Sequence, residues 1–211
     1  MTLPGAADPD RAESLHREID AGWVLPAPDP RQAIHTRSIV CRSFRRDNGL
    51  LDVDGRFIDT RAFAYHSPWR GDCQAGEALH QMQLRLTVDR QRCIHALASA
   101  MPGTPYVGCS EVNPNFQRLV GLSLGRGFRK AMREKIGGVE GCTHVIALLD
   151  TMAAAAVQAF ASNFHAPRLT GAPQPVRIFN PEALVGTCHS YRPDGPVMAQ
   201  LRQNMRQNVS E

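Results

Sequence analysis

None of the six cysteines, Cys41, Cys73, Cys93, Cys109, Cys142 and Cys188, belongs to a Cys-x-x-Cys pair. Zinc-ribbon and thioredoxin-like readings therefore lack their signature. His-Glu-x-x-His, Walker-type and Gly-x-Gly-x-x-Gly segments are also absent, so no short motif announces a zinc protease, a P-loop enzyme or a dinucleotide binder. No unbroken run of about 18 apolar residues occurs, and no transmembrane helix is expected. The start, Met1 to Asp10, lacks a basic stretch followed by an apolar core, so it does not read as a secretory signal. A cytoplasmic location with mostly reduced thiols is expected on that basis. Strong charge of one sign is missing too. The net charge is +4, and its densest short run is Arg42, Arg45 and Arg46. That is too little for a nucleic-acid surface, although it suits anionic small molecules.

What is present fits one globular domain with extensions: 211 residues, 43% hydrophobic and 21% charged. Residues 1–32 read as a peripheral extension, with a short helix over Asp10–Ala21 and a linker stiffened by Pro26, Pro28 and Pro30. Residues 33–195 read as a single α+β domain, and 196–211 as a polar tail. Strands are expected over Ile34–Cys41 and Arg56–Tyr65, with turns at Asp47-Asn48-Gly49 and at Asp54-Gly55. Ser67 to Gly76 reads as a loop. Ala78–Val88 alternates most clearly: His80, Met82, Leu84, Leu86 and Val88 share one face, Gln81, Gln83, Arg85 and Thr87 the polar one. A return strand over Arg92–Met101 follows a turn at Asp89-Arg90-Gln91.

Two long helices are expected after the strands. Asn113-Pro114 fits a helix start, and apolar residues from Phe116 to Ile136 recur at helical spacing. Gly121, Gly125 and Gly127 interrupt this stretch, each at a cost of roughly 1 kcal/mol in a helix interior, which suggests a local break or a close contact. The second helix reads as Cys142–Phe164. Cys188–Tyr191 suggests a short strand. The fold class is thus α+β: an N-terminal antiparallel sheet packed against two long C-terminal helices.

The candidate chemistry centres on His80 and on Cys142 and His144 at the second helix start. His80 sits on the inward face of its strand, where it is either a hydrogen-bonded core histidine or a ligand or general base. A helix N-terminus favours a thiolate at Cys142. Residues i and i+2 point apart on a helix, so Cys142 and His144 meet only if Cys142 lies in the preceding loop. With Cys109 added, His80, Cys109, Cys142 and His144 make a Cys2His2 set suited to zinc or iron, unless the cysteines are ordinary buried thiols. Asp52 and Asp59 could pair with Arg45 or Arg61, or present carboxylates to a pocket. The glycines from Gly121 to Gly127 follow no strand, so a phosphate cradle is a poor reading there. The function these residues suggest is a small-molecule enzyme, a lyase, decarboxylase or isomerase. His80 or His144 would be its general acid/base, Cys142 its thiolate, and Arg45 or Arg46 its anchor for a substrate carboxylate. A non-catalytic metal- or ligand-binding module is the alternative, and the apolar helix faces could equally serve a homo-oligomer.

Four segments together resemble one bacterial family, domain of unknown function 2889. They are Arg45–Asp52, Leu79–Met82, Leu119-Val120-Gly121 with Gly127-Phe128, and Gly141–His144. The resemblance spans roughly residues 33–195 and implies a setting in the catabolism of aromatic or steroid-like compounds, with no assigned activity. The family's pattern His-Asp-Met has Gln81 in place of the acid here.

Overall fold

The computed structural model describes residues 24–163 and 181–208. The helix expected over Asp10–Ala21 lies outside them, as does most of the irregular stretch after Pro167. Four antiparallel strands form the main sheet, in the order β1 (His35–Arg45), β2 (Leu51–Arg61), β5 (Ala78–Val88), β6 (Ile94–Gly103). A small hairpin, β3 (Tyr65–Ser67) with β4 (Gly71–Cys73), lies between β2 and β5 in sequence, inside the stretch read as a loop. The alternating pattern placed β5 to the residue, because a half-buried strand must alternate.

The Asp54-Gly55 turn is a correction. Asp-Gly is a strong local turn signal, yet both residues lie in the middle of β2. Gly55 pairs with Cys41 on one side and Leu84 on the other. The reason for a glycine here is tertiary. A Cβ on Gly55 would come within 3.0 Å of Leu148 Cδ1 and nearer still to the Met152 side chain. The single hairpin turn at Asp47–Gly49 therefore carries β1 into β2, with Gly49 at φ 83 and Arg45 opposite Leu51.

One sheet face carries Val53, Phe57, Met82, Leu86 and Ile94, all buried, and the helices cover it. Each such side chain contributes roughly 1.5–3 kcal/mol by leaving water. Only one long helix does the covering. The first expected helix is broken into a 3-10 segment, Cys109–Leu119, and α1, Phe128–Ile136, of 9 residues. Gly121 and Gly127, at φ 90 and 86, take the left-handed turn between them that no helix can contain. The long helix, α2, runs over Thr143–Asn163 and buries Val145, Leu148, Leu149, Met152 and Ala156. By length and composition alone its Thr143–Phe160 stretch is apolar enough to cross a membrane, despite the polar residues that interrupt it. Its Val145, Leu148, Leu149, Met152 and Ala156 belong to the core packed on the sheet, and 28% of that stretch is buried.

The described residues 181–208 belong to a separate compact unit. Cys188–Tyr191, expected as a strand, holds a 3-10 turn at His189–Tyr191. Residues 196–208, read as tail, form helix α3 (Pro196–Asn208), whose leading proline suits a first helical position. Within this unit Arg202 grips Glu182 at 2.7 and 3.0 Å.

Candidate functional site

The register of the sheet builds the site. Arg37 on β1 stands opposite Asp59 on β2, and Asp59 opposite His80 on β5. Three chemically active side chains are thus neighbours across three strands. Asp59 is 2% exposed, next to a register shift at Asp59/Thr60. A buried carboxylate is costly unless its charge is matched, and Arg37 matches it with a fork: Nε donates to Oδ1 and Nη2 to Oδ2, both at 2.8 Å. The same guanidinium lies 4.7 Å from the Phe57 ring centroid, a cation–π contact that keeps it over the core edge. His35 Nε2 adds a further contact to Oδ1 at 3.3 Å.

The other carboxylate oxygen faces two imidazoles. His80 Nδ1 is 3.2 Å from Oδ2, and His144 Nε2 is 3.8 Å from the same atom. The two rings stack at 3.7 Å between centroids, tilted 31°. Phe57 meets His144 edge-on at 5.2 Å. The His80 contact has a hydrogen bond's length without its alignment, so this buried ring nitrogen has no aligned partner. Such an atom is expensive and asks for an explanation.

Burial shapes the charges. His80 is pushed down to about 4, first by burial and then by the neighbouring His144. Burial lowers His144 as well. Burial pushes the Asp59 carboxyl up, but the hydrogen bonds and charge of Arg37 outweigh it and hold the group below its ordinary range. The cluster at neutral pH is therefore one carboxylate and two neutral imidazoles, the protonation states that metal ligation requires.

Among the described residues, Asp59, His80 and His144 are the group whose donor atoms all lie within 4.8 Å of one another. Ligand atoms around a tetrahedral zinc lie about 3.4 Å apart; Asp59 Oδ2 is 3.2 and 3.8 Å from the two ring nitrogens, which brings both imidazoles to the same carboxylate oxygen. Two histidines and one carboxylate also match the open facial set of non-haem iron.

The expected site residues divide. His80 and His144 come together. Cys142 does sit just ahead of α2, its carbonyl accepting the Ile146 N–H, and its Sγ is 3.7 Å from His144 Nδ1. It touches the ring nitrogen opposite the one facing Asp59, so it supports His144 rather than joining the donor group. Cys109 begins the 3-10 segment and is outside that group. All six cysteines are free thiols. Arg45 and Arg46 are at the far end of β1 from Arg37, about 25 Å away at a strand's rise per residue. Arg46 is bound there to Asp52 at 2.8 Å and to Thr87 at 3.2 Å. Gln81 is buried rather than on an open polar face.

Sequence reasoning left Asp59 among several options and missed Arg37 and His35. Counting back from the Asp47–Gly49 turn would have found both, since pairing Arg45 with Leu51 forces Arg37 onto Asp59. It also passed over Gly121-Leu122-Ser123-Leu124-Gly125, which spells Gly-x-Ser-x-Gly. A nucleophile elbow needs a sharp strand-to-helix turn. Ser123 instead bridges to Cys93 and is exposed, its hydroxyl donating to the Gln91 carbonyl at 3.4 Å.

Fold and site together define an α+β protein with a histidine–aspartate cluster of metal-ligand type at one end of its sheet. The chain belongs to the family described as protein of unknown function DUF2889, which matches residues 35–158, more than half of its length. Arg37, Asp59, His80, Cys142 and His144 all fall in the matched part. No curated protein and no solved structure matches the chain.

Proposed function

We propose that this protein is a small-molecule enzyme centred on Asp59, His80 and His144, with a zinc or ferrous ion held by those three side chains. The observation that carries the reading is their convergence within 4.8 Å, with a buried His80 nitrogen that lacks an aligned partner. Three protein ligands leave positions open for substrate and water. Bound there, the ion would supply Lewis acidity to a carbonyl or carboxylate oxygen. That suits lyase, decarboxylase or isomerase chemistry on an aromatic or other carboxylated metabolite. Arg37 holds the Asp59 carboxylate in one orientation, and Cys142 braces the His144 ring from its far side. Arg45 and Arg46 being at the far end of β1, a substrate carboxylate beside the cluster would be met by the bound ion and by the part of Arg37 that Asp59 leaves unused.

Elemental analysis of the native protein tests this. We expect near one equivalent of zinc or iron, and a His80→Ala variant that loses it by more than the roughly 10–100-fold in affinity that an outer partner is worth. Native protein that carries no metal and fails to bind added zinc or ferrous ion would sink the metal. One observation favours a second reading in that event: Arg37 already takes both Asp59 oxygens, which suits a metal-free His80–His144 acid–base pair. A tightly held ion without exchangeable water would point instead to a non-catalytic binding module.

A further inference from the structure

The end of the sheet that carries the cluster also displays two large aromatic side chains outside the core. Trp69 is 61% exposed and Tyr106 58%. Their rings meet edge to face, with centroids 6.2 Å apart and planes at 83°. They come from segments far apart in sequence, and each segment is fixed. Trp69 is at the tip of the β3–β4 hairpin, where its N–H donates to Ser67 Oγ at 3.3 Å. Arg70, next to it, pins that tip to the start of β5 by donating to the Ala78 carbonyl at 2.9 Å, two residues before His80. Tyr106 follows the end of β6, whose Gly103 is paired with Gln81, the residue after His80. Its loop is held by Thr104, whose hydroxyl donates to the Tyr106 carbonyl at 3.3 Å. The two rings therefore meet beside the residues that flank His80 on β5.

Exposing a tryptophan and a tyrosine together forgoes the burial such rings normally gain, and the edge-to-face arrangement leaves ring face open. Neither ring belongs to the hydrophobic core cluster. Rigid aromatic surface at a loop-rich end of a scaffold is the material of ligand recognition.

We infer that Trp69 and Tyr106 form the surface on which the ring of a planar aromatic carboxylate is held, its carboxylate turned toward the end of β5 that carries His80. This names the substrate class of the centre proposed above and rests on that reading for the chemistry, though not for the binding.

The test uses the full-length protein and 19F NMR titration with 4-fluorobenzoate, against 4,4-difluorocyclohexanecarboxylate as a carboxylate without a π face. We expect the aromatic acid to bind at least about tenfold more tightly, Trp69→Ala to abolish that preference, and Trp69→Phe to keep it within a few-fold. Tyr106→Ala should weaken it in the same direction. Metal content should be unchanged in all three variants. Equal affinity for the two acids, or undiminished preference in Trp69→Ala, overturns the inference. Metal analysis on the same samples separates the two ideas: metal-free native protein that still prefers the aromatic acid removes the metal and leaves the aromatic surface standing.

Discussion

The two ends of the sheet use the same residue types and reach opposite results. At the hairpin end, charges pair close to one-to-one and near solvent. Arg46 and Thr87 satisfy Asp52, and Asp89 takes the Cys93 N–H at 2.8 Å and His95 at 2.7 Å. At the opposite end one buried carboxylate is surrounded by Arg37, His35, His80 and His144, and a buried nitrogen still lacks an aligned partner. The hairpin end is a set of closed accounts of hydrogen bonds. The cluster end gathers four side chains around one carboxylate and leaves a buried ring nitrogen without an aligned partner, a position that a ligand can complete. Arginines, aspartates and histidines mark a site when they are buried and gathered on one group, and mark only a turn when they are exposed and matched.

Asp59→Ala should break the comparison most severely. It leaves Arg37 without its buried counter-charge and removes a donor from the cluster. Arg37 is itself 45% exposed and can regain water, so we expect a loss of about 2–4 kcal/mol in urea unfolding, together with loss of bound metal. A loss below about 1 kcal/mol would mean that the carboxylate is no hub.

Acidification should come next. In the folded metal-free protein His80 takes its proton only near 4, whereas its ordinary value is 6.5. Between those values the unfolded chain binds the extra proton, so folding is undiminished above 6.5 and loses ground as pH falls toward 4. The full loss is on the order of 3 kcal/mol. Asp59, held below its ordinary range, adds a loss of the same sign at still lower pH, where protonation removes its tie to Arg37. Urea midpoints of metal-free protein at pH 7.5 and 5 measure this. His80→Gln should flatten the difference, and an unchanged slope would assign it elsewhere.

Arg46→Ala, at the hairpin end, should cost least, about 0–1 kcal/mol, with metal content untouched. A loss of metal in this variant would place the centre at the wrong end of the sheet.

How much of this was legible beforehand follows from the range of each interaction. β5 was legible because alternation is local, and so was the inward direction of His80. The start of α2 at Cys142 and His144 was legible from the glycines before it. The Asp59–Arg37 pair was not, because Asp54-Gly55 carries a local turn signal that long-range packing overrides. Nothing near Gly55 in sequence announces that Met152 will press on it. The break in the first helix was half legible: the glycines marked it, but only their positive φ shows a turn rather than a strained helix. Trp69 and Tyr106 carry no local sign of each other, since 37 residues separate them and only the sheet brings them together.

The glycine at position 55 has one more consequence. Gly55 receives Met152, and four residues on Asp59 receives His144, eight residues back along α2. Four strand residues span about 13 Å and eight helical residues about 12 Å, so strand and helix run antiparallel as matched rulers. One residue inserted between His144 and Met152 would swing His144 by about 100° around the helix. One inserted between Gly55 and Asp59 would turn Asp59 to the opposite face. The lengths of these two intervals therefore decide whether His144 and Asp59 meet at all.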